Sequence, residues 1–216
     1  PVGQFAIASA RMLGAGRVIA VDHRDDRLAM ARRQGAECVN FDREDPVETI
    51  LAMTGGIGVD RVIDAVGVDA EHAHAGPAAE KAVQQQKTFE AEVQKVAPEQ
   101  HPHDGQWQPG DAPSQALQWA VQALAKAGTL SIIGVYPPSM DSFPLGEAMN
   151  KNITIKMGNC NHRRYVPHLI ELVRSGAIDP TEVLTEIEPL SEVIGAYEAF
   201  DRREPGWVKV ELMPAA

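Results

Sequence analysis

The chain has 216 residues, of which 44% are hydrophobic and 23% charged, and its net charge is −10 at pH 7. This composition is typical of a soluble globular protein, and the acidic balance argues against a nucleic-acid-binding protein, whose partner's phosphates demand a basic face. No apolar run approaches the roughly 18 residues of a membrane helix, and no signal peptide is visible. The chain has two cysteines and no expected disulfide framework, which fits a reducing cytoplasm, so we expect a cytoplasmic protein.

Helical and strand patterns alternate over the first 66 residues. Short β-branched runs alternate with segments that have apolar side chains at helical spacing and end at glycine. The predicted helices are 3–14, 25–34 and Pro46–Met53, and the predicted strands are 17–22, Glu37–Asn40 and 60–66. This alternation indicates parallel βαβ units with helices on both faces of a sheet.

The alternation stops between residues 71 and 114, where the chain is polar and rich in Gln, His, Pro and Ala. Within this insertion, residues 78–96 could form a surface helix, whereas residues 97–113 are typical of a loop. Such a stretch inside an α/β domain is usually an insertion with its own function, or is disordered.

Regular patterns resume at residue 115. A helix over 115–127 and strands over 129–134 and 152–157 complete the predicted sheet. Beyond residue 160 the pattern changes, with expected elements at 164–175, 183–188, 191–201 and 208–212. We therefore predict a doubly wound α/β domain over residues 1–160 and a different C-terminal segment over residues 161–216.

The start of the chain matches the second half of the dinucleotide-binding motif G-x-G-x-x-G. Gly3 takes the place of the third glycine, and Asp22 follows about 20 residues later at the end of a strand. An acid there accepts hydrogen bonds from the adenosine ribose and repels a 2′-phosphate, which predicts NAD rather than NADP. The alternative, that Asp22 caps the helix 25–34, is weaker because Asp25 can fill that role.

Five short motifs follow one another along the chain. They are Pro1-Val2-Gly3, Val21-Asp22, Asp64-Ala65-Val66-Gly67, Ile133-Gly134-Val135-Tyr136 and Val208-Lys209-Val210. In order and spacing they resemble the cofactor half of the zinc-dependent, medium-chain alcohol dehydrogenases. The insertion and residues 143–146 and 157–163 look most like the formaldehyde-dehydrogenase-like branch.

The resemblance implies a Rossmann-like NAD-binding domain whose first strand is missing, followed by a C-terminal tail that belongs to the catalytic domain of intact relatives. In the strand order 3-2-1-4-5-6 the missing strand is central. The sheet must therefore leave a gap, recruit a replacement strand or rearrange.

The resemblance also assigns cofactor contacts to a helix start and to strand ends. The pyrophosphate side is assigned to Val2, Gly3 and Lys209, and the adenosine side to Asp22, Arg27, Val66 and Gly67. The nicotinamide side is assigned to Gly134, Val135, Tyr136, Gly158 and Asn159. Each glycine after a strand could instead be a simple turn.

We expect no catalytic and no metal-binding residue in this chain, because the zinc ligands of the family lie in an N-terminal domain that is absent from it. The pairs His72/His74 and His101/His103 are more typical of solvated loop histidines, since no cysteine or structured carboxylate scaffold accompanies them. We interpret Cys160 and His162 as non-ligating. Cys38 and Cys160 lie in separate predicted elements, which argues against a disulfide framework.

The resemblance thus implies that the chain is the cofactor-binding part of a zinc- and NAD-dependent dehydrogenase. The substrate would be a primary alcohol, or hydrated or thiol-bound formaldehyde. We expect the chain alone to be inactive. It also implies a homodimer through an edge strand between Asn152 and Met157. One alternative is a non-enzymatic truncated module that dimerises and binds nucleotide weakly or not at all. Another alternative is a zinc-free quinone or enoyl reductase of the same superfamily. Those enzymes usually prefer NADP and lack an acid at the position of Asp22, so the presence of Asp22 argues against this alternative.

Overall fold

The computed structural model describes residues 1–97 and 109–214 of the chain. Helices and strands alternate along most of it. In chain order the elements are α1 (Val2–Met12), β1 (Ile19–Asp22), α2 (Asp25–Arg33), β2 (Glu37–Asn40), α3 (Pro46–Met53), β3 (Val59–Asp64), α4 (Gly76–Val96), α5 (Gln115–Ala123), β4 (Leu124–Ile132), α6 (Leu145–Asn150), β5 (Thr154–Met157), α7 (His162–Arg174), β6 (Glu186–Pro189), α8 (Val193–Asp201) and β7 (Val210–Met213). Short 3₁₀ turns lie at Gly67–Asp69, Pro180–Val183 and Leu190–Glu192.

The chain divides into two compact units. Residues 1–38 and 160–216 form one, called here the terminal unit, and residues 39–159 form the other, called the central unit. This division groups the first two helices with the C-terminal segment, whereas the sequence predicts a domain over residues 1–160. The predicted boundary stays a prediction.

The terminal unit has two small cores and several polar links. One core is built from Ile7, Ala31 and Ala36, and the other from Met30, Val183 and Val208. Polar bonds tie α2 to its neighbours: the carboxylate of Asp26 accepts a hydrogen bond from the backbone of Gly206 (2.8 Å), and the side chain of Gln4 donates to the carbonyl of Arg27 (3.0 Å). Strands β6 and β7 pair in parallel.

Helix α7 of the same unit buries none of its side chains. Its apolar residues at helical spacing are all 44–47% exposed, and they are Tyr165, Val166, Leu169, Ile170 and Val173. Local sequence explains why this segment is a helix, because the side chain of Asn161 caps its start by accepting from the backbone of Arg164.

The central unit is built on the parallel three-stranded sheet β3–β4–β5, in which β4 is the middle strand. Helix α5 packs its apolar face on this sheet, and the main core contains Leu117, Ala120, Val121, Leu124, Leu130 and Ala148. The insertion is attached to this unit by α4, which buries Ala82 and Phe89 against Ala112. The surface helix predicted over 78–96 is therefore confirmed, and it has one buried face.

The predicted end of helix α5 is wrong. The sequence suggests a helix up to residue 127, but α5 ends at Ala123 and β4 begins at Leu124. The ammonium of Lys151 donates to the carbonyls of Val121 (2.8 Å), Gln122 (2.7 Å) and Leu124 (3.1 Å), which satisfies the carbonyls that a helix end leaves without partners. This cap comes from a residue far along the chain.

The predicted α/β class with parallel sheets is confirmed, but the described strands form three sheets. Strands β1 and β2 make a two-stranded sheet, β3–β4–β5 a second and β6–β7 a third. No described strand hydrogen-bonds to both β1 and β3. Within residues 1–97 and 109–214, every helix is too short or too polar to cross a lipid bilayer.

Candidate functional site

In the central unit, the buried carboxylate of Asp64 joins the loops that follow β3 and β4. Asp64 is the last residue of β3 and is 4% exposed. Its Oδ1 accepts hydrogen bonds from the backbone N–H groups of Val66 (2.9 Å) and Gly67 (3.1 Å), and its Oδ2 accepts one from the hydroxyl of Tyr136 (2.8 Å). One side chain therefore connects two loops at the carboxyl ends of parallel strands, where open α/β sheets bind ligands.

The backbones of these two loops are also in close contact. Gly134 donates a hydrogen bond to the carbonyl of Asp64 (2.9 Å), and Val68 donates one to the carbonyl of Val135 (3.0 Å). Gly67 has a φ of +73°, and a Cβ on it would lie 2.5 Å from the backbone nitrogen of Val135. A Cβ on Gly134 would collide with the backbone of Gly67. The two glycines are therefore needed for the loops to pack together, as well as for turning the chain.

Tyr136 connects this cluster to the core of the central unit, against which it packs. Burial, and then the negative charge of Asp64, raise the pKa of the Tyr136 hydroxyl well above its usual range. The hydroxyl therefore remains a neutral hydrogen-bond donor at physiological pH. Val66 and Val135 lie beside the cluster and are 47% and 76% exposed, so an apolar surface is open to a ligand there.

In the terminal unit, Asp22 is the last residue of β1, as predicted. Its Oδ1 accepts hydrogen bonds from the backbone N–H groups of His23 (2.8 Å) and Arg24 (3.0 Å), and its Oδ2 lies 3.8 Å from Nη1 of Arg27. The N-cap position of α2 is taken by Arg24, and Asp25 is already the first helical residue. The proposed capping role of Asp25 is therefore wrong, and Asp22 orders the turn before α2 without capping the helix.

The start of α1 lies near the same charged groups. Val2 and Gly3 are its first two residues, and the helix has neither a side-chain cap nor an acid in its first turn. Two cations, Arg27 and Lys209, and the carboxylate of Asp22 all lie within electrostatic reach of Pro1. The terminal unit thus brings four predicted cofactor positions and Lys209 into one neighbourhood with an excess of positive charge.

Lys209 is exposed and lies just before β7. Its backbone is fixed by Thr185, whose hydroxyl accepts from the Lys209 N–H (3.1 Å) and whose own N–H donates to the Lys209 carbonyl (2.9 Å). The side chain is therefore presented to solvent from an anchored backbone.

Gly158 and Asn159 follow β5 directly and are both exposed. Gly158 has a φ of +139°, and a Cβ on it would meet nothing within 4 Å. Unlike Gly67 and Gly134, it is thus required only for the backbone conformation. The structure does not bring these two residues into the Asp64 cluster.

The histidines have local partners. Nδ1 of His72 lies 2.7 Å from the carboxylate of Asp111, and its ring meets that of His74 edge to face at 4.9 Å. His101 and His103 lie outside the described residues. Cys160 is exposed and its carbonyl accepts from the N–H of His162 (3.1 Å), at the start of α7. Both cysteines are free thiols, in agreement with the expectation of no disulfide.

In the sequence, Asp64 is part of the motif Asp64-Ala65-Val66-Gly67, and the resemblance assigns it no role. The sequence does contain a signal for such a role. Asp64 ends a predicted strand and precedes Val66 and Gly67 by two and three residues, and an acid in that position can accept hydrogen bonds from the backbone N–H groups of the following turn. Its bond to Tyr136 could not be read from the sequence, since the two residues are 72 positions apart.

Comparisons with known proteins agree with this architecture. Residues 1–76 match the family described as zinc-binding dehydrogenase. The chain is 36% identical over 216 residues to an uncharacterized zinc-type alcohol dehydrogenase-like protein of Bacillus subtilis (strain 168), with 99% of this chain and 50% of that protein covered. An alcohol dehydrogenase of Cupriavidus necator is 29% identical over 220 residues, with 99% and 47% covered.

Among solved structures, the alcohol dehydrogenase TADH from Thermus sp. ATN1 superposes with a TM-score of 0.70 and 26% identity, covering 100% of this chain and 49% of that one. The chain therefore spans about half the length of the relatives that it matches.

Proposed function

We propose that this chain, a relative of the zinc-type alcohol dehydrogenases, is the NAD-binding part of a dehydrogenase that oxidises a primary alcohol or hydrated or thiol-bound formaldehyde. The formaldehyde-dehydrogenase-like branch is supported by the insertion and by residues 143–146 and 157–163. NAD supplies the acceptor for a hydride from the alcohol carbon. The residues of this chain hold and orient that cofactor.

The observation that carries the proposal is the position of Asp22. It ends a strand, and its Oδ1 takes two backbone hydrogen bonds, whereas within residues 1–97 and 109–214 no backbone N–H donates to its Oδ2. A carboxylate oxygen at a strand end can accept from ribose hydroxyls, and charge-assisted bonds of this kind contribute about 1.5–3 kcal/mol each. Nη1 of Arg27 lies 3.8 Å from Oδ2, and Arg27 would also contact the ribose.

The pyrophosphate would be held at the start of α1. Its first N–H groups lack a side-chain cap, and Lys209 and Arg27 add positive charge nearby. The absence of an acid from the first turn of α1 favours an anionic ligand there. Val2 and Gly3 would contribute backbone donors.

In the central unit, Val66 and Gly67 would line the adenosine side, and the loop after β4 would face the nicotinamide. Gly134 and Val135 present backbone and an exposed apolar side chain, while Tyr136 is held by Asp64. Gly158 and Asn159 would contribute backbone groups after β5. These roles follow from the rule that ligands of open α/β sheets bind at the carboxyl ends of the strands.

We assign no zinc ligand and no catalytic residue to this chain. The resemblance places the zinc ligands in a part of the relatives that the chain does not span, and His72 is engaged with Asp111. We therefore expect the chain alone to be inactive, and we propose that it acts in the cytoplasm and pairs through the exposed edge of β5 as a homodimer. A monomer in sedimentation velocity would contradict the pairing.

Calorimetric titration of the full chain with NAD and NADP tests cofactor binding. We expect NAD to bind more tightly than NADP, and Asp22→Ser to weaken NAD binding by about tenfold or more while bringing NADP closer to NAD. Asp201→Asn, which changes an exposed acid at the end of α8, is the matched control and should bind like the wild type.

Three results would count against the proposal. Absence of NAD binding favours the non-enzymatic module, and tighter binding of NADP favours the zinc-free reductase. Reduction of NAD by the chain with a series of alcohols and zinc would show that the chain is not inactive alone.

A further inference from the structure

Asp64 is a buried acid that none of the roles proposed above uses directly. It is 4% exposed, and among the described residues no lysine, arginine or histidine forms an ion pair with it. Its charge is compensated by hydrogen bonds from Val66, Gly67 and Tyr136. A buried carboxylate is stable only when its oxygens are paired in this way.

The three donors lie on two loops that both carry proposed cofactor residues. Two of them, the N–H groups of Val66 and Gly67, belong to the loop after β3, and the third is the Tyr136 hydroxyl in the loop after β4. The carboxylate therefore sets the distance between the loops through three bonds of 2.8–3.1 Å.

The backbone contacts between the loops are too tight to be adjusted independently. Gly134 stands against Gly67 with no room for a Cβ on either, and a Cβ on Gly134 would also lie 3.0 Å from Oδ2 of Asp64. A change at the carboxylate thus moves both loops, since packed interiors transmit small displacements.

We infer that Asp64 is a positioning residue, which holds Gly67 and Tyr136 in one fixed arrangement so that both loops meet the cofactor preorganised. This inference rests on the proposed NAD binding. Preorganisation lowers the ordering cost that a ligand otherwise meets on binding, so its loss weakens affinity without removing a direct contact.

The carboxylate is suited to this task because both of its oxygens accept hydrogen bonds. In Asp64→Asn the shape is kept, but one oxygen becomes an NH₂ group that can no longer accept from Tyr136. In Tyr136→Phe the carboxylate loses one donor and keeps the two backbone bonds. The two variants therefore weaken the same hydrogen bond, one by changing its acceptor, Asp64, and the other by removing its donor, the Tyr136 hydroxyl.

The first readout is an ultraviolet pH titration of the three tyrosines of the chain. Tyr165 and Tyr197 are 46% and 70% exposed, whereas the hydroxyl of Tyr136 donates to Asp64. Burial and the Asp64 charge raise the pKa of Tyr136, so removing the charge in Asp64→Asn should let the third tyrosine ionise at lower pH than in the wild type. A wild-type curve in which Tyr136 ionises in the usual tyrosine range would overturn the inference, because its hydroxyl would then not be held by Asp64.

The second readout is NAD affinity by calorimetry. We expect Asp64→Asn and Tyr136→Phe each to weaken NAD binding about tenfold, because the ligand must then order loops that the wild type holds in place. Asp141→Asn is the matched control, because Asp141 is an exposed acid of the same unit that pairs with Lys95 (2.8 Å) away from the cluster.

The outcomes separate the two claims. Wild-type affinity in both variants would overturn the positioning role alone, whereas a wild-type chain that does not bind NAD overturns the proposed function and the inference together. If Asp64→Asn does not fold, Tyr136→Phe decides, because the hydroxyl can be removed with two of the three bonds to Asp64 intact.

Discussion

Helices α4 and α7 are both amphipathic, but only α4 buries apolar side chains. Helix α4 buries Ala82 and Phe89 against the rest of the central unit, and Phe89 is only 3% exposed. Helix α7, in the terminal unit, buries no side chain, and Leu169 is 47% exposed. An amphipathic pattern therefore predicts a helix and an apolar face, but not whether the same chain covers that face.

The same contrast holds for the two units as wholes. The central unit has a core of six buried residues around Leu130 and tightly packed glycines at Gly67 and Gly134. The terminal unit has two small clusters joined by polar bonds such as that between Asp26 and Gly206. We expect the central unit to be more sensitive to changes in packing and the terminal unit to be more sensitive to pH.

The largest difference should come from truncating the two helices. Phe89→Ala should lower the free energy of unfolding by about 3–5 kcal/mol, because it removes a buried aromatic side chain and leaves a cavity. Leu169→Ala should cost less than about 1 kcal/mol, because that side chain is already half exposed. Urea unfolding followed by far-ultraviolet circular dichroism measures both, and equal losses would contradict the contrast.

A Cβ at Gly134 should have the next largest effect. Gly134→Ala would place a methyl group against the backbone of Gly67, which cannot move away, and should cost about 3 kcal/mol. Gly146→Ala is the control, since Gly146 lies in α6 with nothing within 4 Å of its Cβ position. That change should be neutral or stabilising by up to about 1 kcal/mol. Similar thermal midpoints for the two variants would show that the loops are not tightly packed.

Lys151 tests whether a distant cation ends α5. Lys151→Met keeps the aliphatic stem but leaves the carbonyls of Val121, Gln122 and Leu124 without their donor, which should cost about 2 kcal/mol. Lys126→Met changes an exposed lysine of the neighbouring β4 and should be close to neutral. A neutral result for Lys151→Met in denaturant unfolding would remove the physical reason given for the end of the helix.

The smallest effect should be the pH dependence due to Asp26. Burial alone would raise the pKa of Asp26, but hydrogen bonds from the backbone of Gly206 and Arg27 outweigh it and lower the pKa below 3.8. Its stabilising contribution is therefore present above about pH 4 and is lost as the pH falls through the lowered value. Asp26→Asn should cost about 1 kcal/mol at pH 7, because the carboxylate is partly exposed.

This difference between Asp26→Asn and the wild type should vanish near pH 2 in urea unfolding experiments. A constant difference from pH 7 to pH 2 would mean that the Asp26 charge makes no contribution.

Local signals explain which elements the sequence predicted well. The bounds of β2 and α3 agree with the structure because Gly35 turns the chain before β2, and Asp45 and Pro46 start α3 through a side-chain cap and a fixed φ. The predicted end of α5 is wrong because the residue that caps this helix, Lys151, comes from a later segment of the chain.

In the candidate site, too, the sequence predicts the features that depend on local residues and misses those that depend on distant ones. The position of Asp22 at a strand end follows from the motif spacing, and the structure agrees. The role of Asp64 depends on which strands are neighbours, because Tyr136 approaches it only when β4 pairs with β3. Pairing of this kind is set by the tertiary fold and has no local sequence pattern.

The most direct test of the account is hydrogen–deuterium exchange of the full chain with and without saturating NAD, read by mass spectrometry. If the cofactor binds as proposed, NAD should slow exchange at the start of α1, in the turn after Asp22 and in the loops that contain Gly67 and Val135. Exchange that NAD leaves unchanged in these segments, or slows only in α7, would contradict the central claim that this chain binds NAD at its strand ends.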